Sequence, residues 1–258
     1  MTPTGVREPV LQGLERGLAV IEAFSDAKPA MTLSAVARRT GITRASARRI
    51  LLSLEELGYV QSDDGRFSLS PRVLRLGWSY FGSVNKWELA EPLMDELAAE
   101  LQETCSATTL DLPDIVFVAR APGPRIMTMS LGVGSRLPAF ATAMGRVLLS
   151  SLDDSAVERY LASVPLEALT PSTLTDPPRV LAAVATAREQ DWALVDEELE
   201  LGLRSLSMPL RGSDGRVVAA LNICAATSRI SVAEMKRGFL PAMRRTAASI
   251  TAAWVHAA

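Results

Sequence analysis

Leu14, Leu18, Val20, Ile21 and Phe24 recur at the spacing of a helix face, the first of several such patterns in this 258-residue chain. They predict a helix ending near Ser25. A second helix starts after Thr32, a natural N-cap, and runs to Thr40 with Leu33, Val36 and Ala37 as its buried stripe. Gly41 supplies the tight turn, and Ile42 plugs the corner. Thr43 caps a third helix whose Ala47, Ile50, Leu51, Leu54 and Leu57 share one face, while Ala45, Arg48, Arg49 and Leu52 fall on or near the opposite one. Gly58 stops it. Alternation then replaces the helical period: Tyr59-Val-Gln-Ser, the turn signal Asp63-Asp-Gly65 and Arg66-Phe-Ser-Leu-Ser make a β-hairpin. Three helices followed by a hairpin are a winged helix-turn-helix, expected over residues 13–70 behind a mobile N-terminus of residues 1–12.

From Pro71 the period is helical again, in two pieces, Arg72 to Phe81 and Trp87 to Thr104. Trp78, Tyr80, Phe81 and Trp87 give residues 71–104 more apolar surface than a two-helix linker can hide, so this stretch is read as linker and dimerisation region. Residues 105–258 mix both periods. Strand-like segments at 107–112, 115–121, 126–131, 205–210 and 217–224 alternate with helices near 143–151, 155–161, 178–190 and 232–253. Asp176-Pro-Pro reads as a cap with proline in the first turn, Gly212-Ser-Asp-Gly215 as a hairpin turn, and Ser231-Val-Ala-Glu234 as a capping box. The mixture predicts an α+β domain with a mainly antiparallel sheet.

Charge changes the picture. Acids outnumber bases overall, 29 to 27, yet residues 1–77 hold eleven Arg and Lys against eight Asp and Glu. Between Lys28 and Leu54 there are six cations and no acid. A basic block in an acidic protein addresses a polyanion, and here it coincides with the helix-turn-helix, so the expected partner is double-stranded DNA. Arg44, Arg48 and Arg49, with Thr43, Ala45 and Ser46, form the face offered to the major groove. Arg49, opposite the Ala47, Ile50, Leu54 stripe, is the candidate for a base contact. Arg38 and Arg39 end the helix that crosses the backbone and suit phosphate. Arg66 on the wing is placed for an adjacent phosphate or the minor groove, or is simply a solubilising turn residue.

Signatures of catalysis are missing. His256 is the only histidine, which rules out triad and H-E-x-x-H arrangements around a central His. Cys105 and Cys224 show neither disulfide nor zinc spacing, so no metal or cofactor is expected and a reducing cytoplasm fits. Gly132-Val-Gly-Ser-Arg136 lacks the features of a nucleotide loop and reads as a turn, and Asp196-Glu-Glu-Leu-Glu200 as a solvated or ion-paired acidic loop. No signal peptide or membrane-length apolar run is present.

One constellation in the second domain suggests a ligand. Val218, Ala220, Asn222 and Cys224 share a strand face, as do Ser205 and Ser207, giving small polar groups for a cavity floor. Thr142-Ala-Met-Gly145 opens a helix whose free N–H groups suit a carboxylate. Small polar residues on a half-exposed sheet are the plain alternative.

Taken together, Gly13-Leu-Glu-Arg-Gly-Leu-Ala-Val-Ile-Glu-Ala-Phe24, the helix-turn-helix, Leu57-Gly-Tyr-Val60, Leu69-Ser-Pro-Arg-Val-Leu-Arg-Leu-Gly77, Thr142-Ala-Met-Gly-Arg146, Asp196-Glu-Glu198 with Gly202-Leu-Arg-Ser205, and the Asn222 strand resemble the IclR family of transcriptional regulators. The resemblance covers nearly the whole chain. It implies a winged helix, a dimerising helical linker and a GAF-like effector domain, assembled as dimers or dimers of dimers. It places a small-carboxylate pocket on Ala143, Met144, Ser205, Asn222 and Cys224. Val195 stands where some members have an aspartate, and Ser205 where some have cysteine, so a different and less polar effector is expected. Within the family the chain most resembles regulators of aromatic-acid degradation through the β-ketoadipate route. Leu131, Phe140, Met144 and Val195 suit an aromatic or short aliphatic acid. The expected function is therefore an effector-responsive regulator of catabolic genes; the alternatives are a constitutive DNA-binding scaffold and an enzyme fused to a DNA-binding module.

Overall fold

The computed structural model describes residues 10–25, 28–77, 86–124 and 131–256, and the chain divides into two units, residues 1–84 and 85–258. The expected strand at 126–131, save Leu131, and the aromatic residues Trp78, Tyr80 and Phe81 lie outside the described residues.

In the first unit α1 (Gln12–Glu22), α2 (Leu33–Thr40) and α3 (Arg44–Glu56) pack around Val20, Val36, Leu51 and Leu54. Each fully buried aliphatic side chain here contributes on the order of 1.5–3 kcal/mol. The caps are formed as their residue types dictate: the Thr32 hydroxyl accepts from the Ala35 N–H at 3.3 Å, and that of Thr43 from the Ser46 N–H at 3.2 Å. Gly41 closes α2 at φ 68°, a conformation glycine adopts without strain. β2 (Val60–Asp63) and β3 (Arg66–Leu69) form the wing around Asp64 and Gly65, both at positive φ, the backbone of a tight hairpin turn. A strand the hydropathy pattern does not reveal, β1 (Ala30–Thr32), pairs with β3, so the wing sheet runs β1-β3-β2.

The second unit is an antiparallel six-stranded sheet of order β6-β5-β4-β9-β8-β7. Its strands are β4 (Cys105–Asp111), β5 (Asp114–Ala121), β6 (Arg136–Pro138), β7 (Ala193–Asp196), β8 (Leu203–Arg211) and β9 (Val217–Ala226). One face packs against α4 (Lys86–Leu101) and α8 (Leu240–His256), the latter entered through a π-helical turn at Met235–Phe239. The other face carries α5 (Ala143–Leu149), backed by α6 (Asp154–Ser163) and α7 (Pro177–Gln190) over a core that includes Phe117, Met144, Val147 and Val195. This is the expected α+β architecture.

One expectation about the linker needs correcting. Trp87 is buried within the second unit, its ring meeting Trp254 edge to face at 5.2 Å, while the Trp254 indole N–H donates to the Lys86 carbonyl at 2.6 Å. Its apolar surface is covered by the chain's own C-terminal helix, not left for a second copy.

Candidate functional site

Two sites take shape, one in each unit. On α3 the buried positions Ala47, Leu51 and Leu54 fix the helix against α1 and α2, which turns Arg44, Ala45, Arg48, Arg49 and Leu52 outward. Arg38, Arg39 and Arg66 are exposed as well. No ion pair joins these six arginines to other described residues. Thr43 and Ser46 stand at the N-terminus of α3 in capping roles. Arg49 also edges an apolar groove with Gly13, Leu14 and Leu18 of α1, so Arg48 is the residue that projects without such a neighbour. A face of uncompensated guanidinium groups is what phosphate and guanine edges require.

The second site is a cavity on the α5 side of the six-stranded sheet, with about 580 Å³ of atom-free space, part of it open to solvent. Strand pairing builds its floor. Arg120 on β5 stands opposite Ser106 on β4, which stands opposite Asn222 on β9. One step along, Cys224 faces Ser205 on β8, and Ser205 faces Val195 on β7. Directly opposed residues share a face, so these two rows present their side chains together. Phe117, Leu131, Leu137, Met144, Leu199 and Leu203 wall the space, and Thr142 lies at the opening of α5. The interior is apolar with a few polar heads and one cation, Arg120.

Arg120 is the residue sequence reasoning missed. Its signal was present: a guanidinium embedded in Asp114-Ile-Val-Phe-Val-Ala-Arg-Ala121, a strand otherwise built for burial. Its charge is felt at Cys224, where it lowers the thiol pKa together with a hydrogen bond from Asn222; burial outweighs both and pushes that thiol up to about 11. The sulfur is therefore neutral at physiological pH.

Leu131, Thr142, Met144, Val195, Ser205, Asn222 and Cys224 all line the cavity, whereas Phe140 and Ala143 do not. Phe140 sits in a 3-10 turn, its N–H bonded to the Tyr160 hydroxyl at 3.1 Å, beside a separate surface cleft near Pro113. Ala143 is packed into the core. Ser207 lies on the floor's side of the sheet, but its hydroxyl is spent on the Leu221 carbonyl at 2.8 Å. The hydroxyl of Thr142 accepts from the Gly145 N–H at 3.0 Å, a capping role. The Asn222 amide nitrogen donates one N–H to Cys224 Sγ at 3.1 Å and keeps a second.

The acidic loop is a structural strap. Glu198 accepts from Arg146 at 2.6 Å and from the Leu174 N–H at 3.0 Å. Hydroxyls of Thr170 and Thr173 donate to the carbonyls of Glu197 and Glu198 at 2.5 and 2.6 Å. Asp196 receives two guanidinium bonds from Arg204, each 2.8 Å. The described residues contain no cluster able to hold a metal ion, and no helix among them is long and apolar enough to cross a membrane.

Comparison with known proteins identifies the family. The family model for the IclR helix-turn-helix domain matches residues 13–64, and that for the C-terminal part of bacterial IclR transcriptional regulators matches residues 79–252. The Pca regulon regulatory protein of Pseudomonas putida is 41% identical over 232 residues, covering 90% of this chain and 80% of that protein. The solved structure of the transcriptional regulator RHA06195 from Rhodococcus sp. RHA1 has a TM-score of 0.82 at 44% identity, covering 96% of this chain and 100% of that one. A double mutant of the inducer-binding domain of the PobR transcription factor from Acinetobacter, solved with 3-hydroxybenzoic acid, has a TM-score of 0.61 at 33% identity, covering 64% of this chain and 97% of that domain. The chain belongs to the IclR family of bacterial transcriptional regulators.

Proposed function

We propose that this regulator senses a small aromatic acid in the cavity of its second unit and converts occupancy into altered binding of its winged helix to an operator that controls catabolic genes. The observation that carries the reading is Arg120, a cation in the polar floor of a cavity whose walls are mainly apolar. Phe117 and the aliphatic wall around it suit a ring, and a guanidinium holds a carboxylate through charge-assisted hydrogen bonds. The 3-hydroxybenzoic acid in the PobR domain is of the same chemical class. The acid can switch DNA binding only through unequal affinity for two arrangements of the protein.

The protein acts by binding, not turnover, in the cytoplasm, as a dimer or dimer of dimers on paired half-sites. The exposed leucines Leu14 and Leu18 of α1, with Leu74 and Leu76 beyond the wing, are apolar surface that self-association would cover. The test is thermal melting of the full chain with benzoate-type acids. At a hundredfold excess over Kd the stabilisation is about 2.7 kcal/mol, roughly 5–10 °C for a chain of this size. Arg120→Met removes that shift. A full shift retained in the variant refutes the carboxylate seat, and conversion of the acid by purified protein refutes the regulatory reading.

A further inference from the structure

α3 offers DNA two kinds of group. Arg48 and Arg49 project from it with no ion pair to other described residues. Beside them stand two aliphatic side chains that the core of the unit leaves out, Ala45, which is exposed, and Leu52, which is 41% exposed. Leu52 takes no part in the apolar groove between α1 and α3, which α3 lines with Arg49, Ile50, Ser53 and Leu54. An uncovered leucine in a row of cations is out of place on a face that serves only phosphate, because phosphate gives it nothing to touch. At 3.6 residues per turn, positions 45, 48, 49 and 52 fall within an arc of about 100°. This i, i+3, i+4, i+7 spacing is one by which a helix lying in the major groove presents base-reading side chains. The chemistry of the stretch is also narrow. From Thr43 to Leu54 there is no Asn, Gln, Asp or Glu. The amides that take adenine bidentately and the carboxylates that accept from cytosine N4 are therefore missing, and what remains is guanidinium for guanine and alkyl groups for the 5-methyl of thymine.

We propose that Ala45 and Leu52 are specificity-determining residues that read thymine: each packs on the 5-methyl group of a T·A pair, one on either side of a guanine held by Arg48. The operator half-site then carries two thymine methyls about three base steps apart with a G·C pair between them. The inference rests on α3 as the helix that enters the groove. Rise along the helix sets the distance. Seven residues at about 1.5 Å each carry the chain roughly 10 Å from Ala45 to Leu52, with Arg48 near the middle, and base pairs follow one another at about 3.4 Å. The size of a methyl group sets the strength. Covering one with a hydrocarbon side chain is worth about fourfold in affinity. That methyl is the feature by which thymine differs from uracil, so its reading is separable from hydrogen bonding to the same base pair.

The probe is duplex DNA selected by the full chain from a pool of randomised sequence. Each thymine of the selected duplex is replaced in turn by deoxyuridine, which pairs identically but lacks the 5-methyl group, and affinity is measured at fixed salt. At two positions in each half-site, flanking a guanine, the replacement is expected to weaken binding about fourfold. Leu52→Ala removes the penalty at one of the two positions and leaves it at the other, and Ala45→Ser does the reverse. A leucine that serves only the fold weakens all duplexes together and leaves the ratio of thymine to deoxyuridine affinity where it was, which overturns the assignment. A ratio near one at every thymine in the parent protein overturns the methyl reading as well, and leaves α3 as the reading helix if Arg48→Ala still lowers affinity for the selected duplex. Arg48→Ala binding as tightly as the parent removes α3 as the reader and this inference with it, and so does a selection that enriches no sequence.

Discussion

Replacing Glu198 by alanine is expected to be among the most damaging single changes to the second unit, although Glu198 lies in a loop. The Arg146 and Glu198 side chains are 5% and 9% exposed, and their charged atoms are 2.6 Å apart. Such a pair gains little over an apolar equivalent, because desolvating both charges offsets their attraction. Breaking it is a different matter. Glu198→Ala strands a buried guanidinium whose Nε already lacks a partner, and it removes the acceptor of the Leu174 N–H. Leaving one charge unpaired costs about 3–5 kcal/mol. At about 2–4 °C per kcal/mol for a domain of this size, the melting temperature falls by roughly 6–20 °C. Circular dichroism of the full chain during heating or urea titration measures it. The double variant Arg146→Met with Glu198→Leu removes both charges and is expected to recover most of the loss. Arg216 and Asp214 serve as an internal control, since their side chains are 86% and 57% exposed and 3.5 Å apart; Asp214→Ala stays within about 1 kcal/mol of the parent. A loss below about 1 kcal/mol for Glu198→Ala, or a double variant weaker than the single one, refutes the reasoning.

Further tests bear on backbone packing, on DNA and on pH. A Cβ added at Gly145 meets the Ala139 carbonyl oxygen at 1.9 Å, backbone against backbone, so Gly145→Ala is expected to cost about 3 kcal/mol or more by denaturant titration. Arg48→Ala lowers affinity for the operator by about 1–3 kcal/mol and relaxes discrimination at one position, whereas Arg39→Ala weakens specific and random duplexes alike and flattens the salt dependence by about one counterion; equal losses on both duplexes for both variants contradict the division. Burial raises the Cys224 pKa to about 11, so its contribution to stability is full below the ordinary thiol pKa of about 8.5 and is lost as pH rises toward 11. The fall in denaturation midpoint across that window is therefore expected to be smaller in Cys224→Ala than in the parent.

Local chemistry was legible in the sequence, and long-range pairing was not. Thr32, Gly41, Thr43 and the Asp64-Gly65 turn each act within a few residues, so the winged helix can be read almost element by element. β1 escaped because three residues carry no period of their own, and their partner, β3, lies some thirty-five positions downstream. The polar rows of the cavity show the same limit. Ser205, Asn222 and Cys224 were found from alternation within single strands, but Arg120 joins them only through the registers of β5 on β4 and β4 on β9. Phe140 has the residue type that suits an aromatic acid, but the 3-10 turn in which it lies carries it to another surface. Trp87 was assigned to a second copy because its true cover, Trp254, comes from the far end of the chain.

The strand order has a consequence for how the protein is made. The wing is complete once Leu69 has been synthesised, whereas the sensing floor needs β9, which ends at Ala226. At ribosomal speeds of about 5–20 residues per second, roughly 8–30 s separate the two events. During that interval the nascent chain carries a finished DNA reader and no receptor. A chain cut between the two points keeps every strand of the wing and loses the strand that joins Arg120's row to Ser205's, so truncation alone separates the two units.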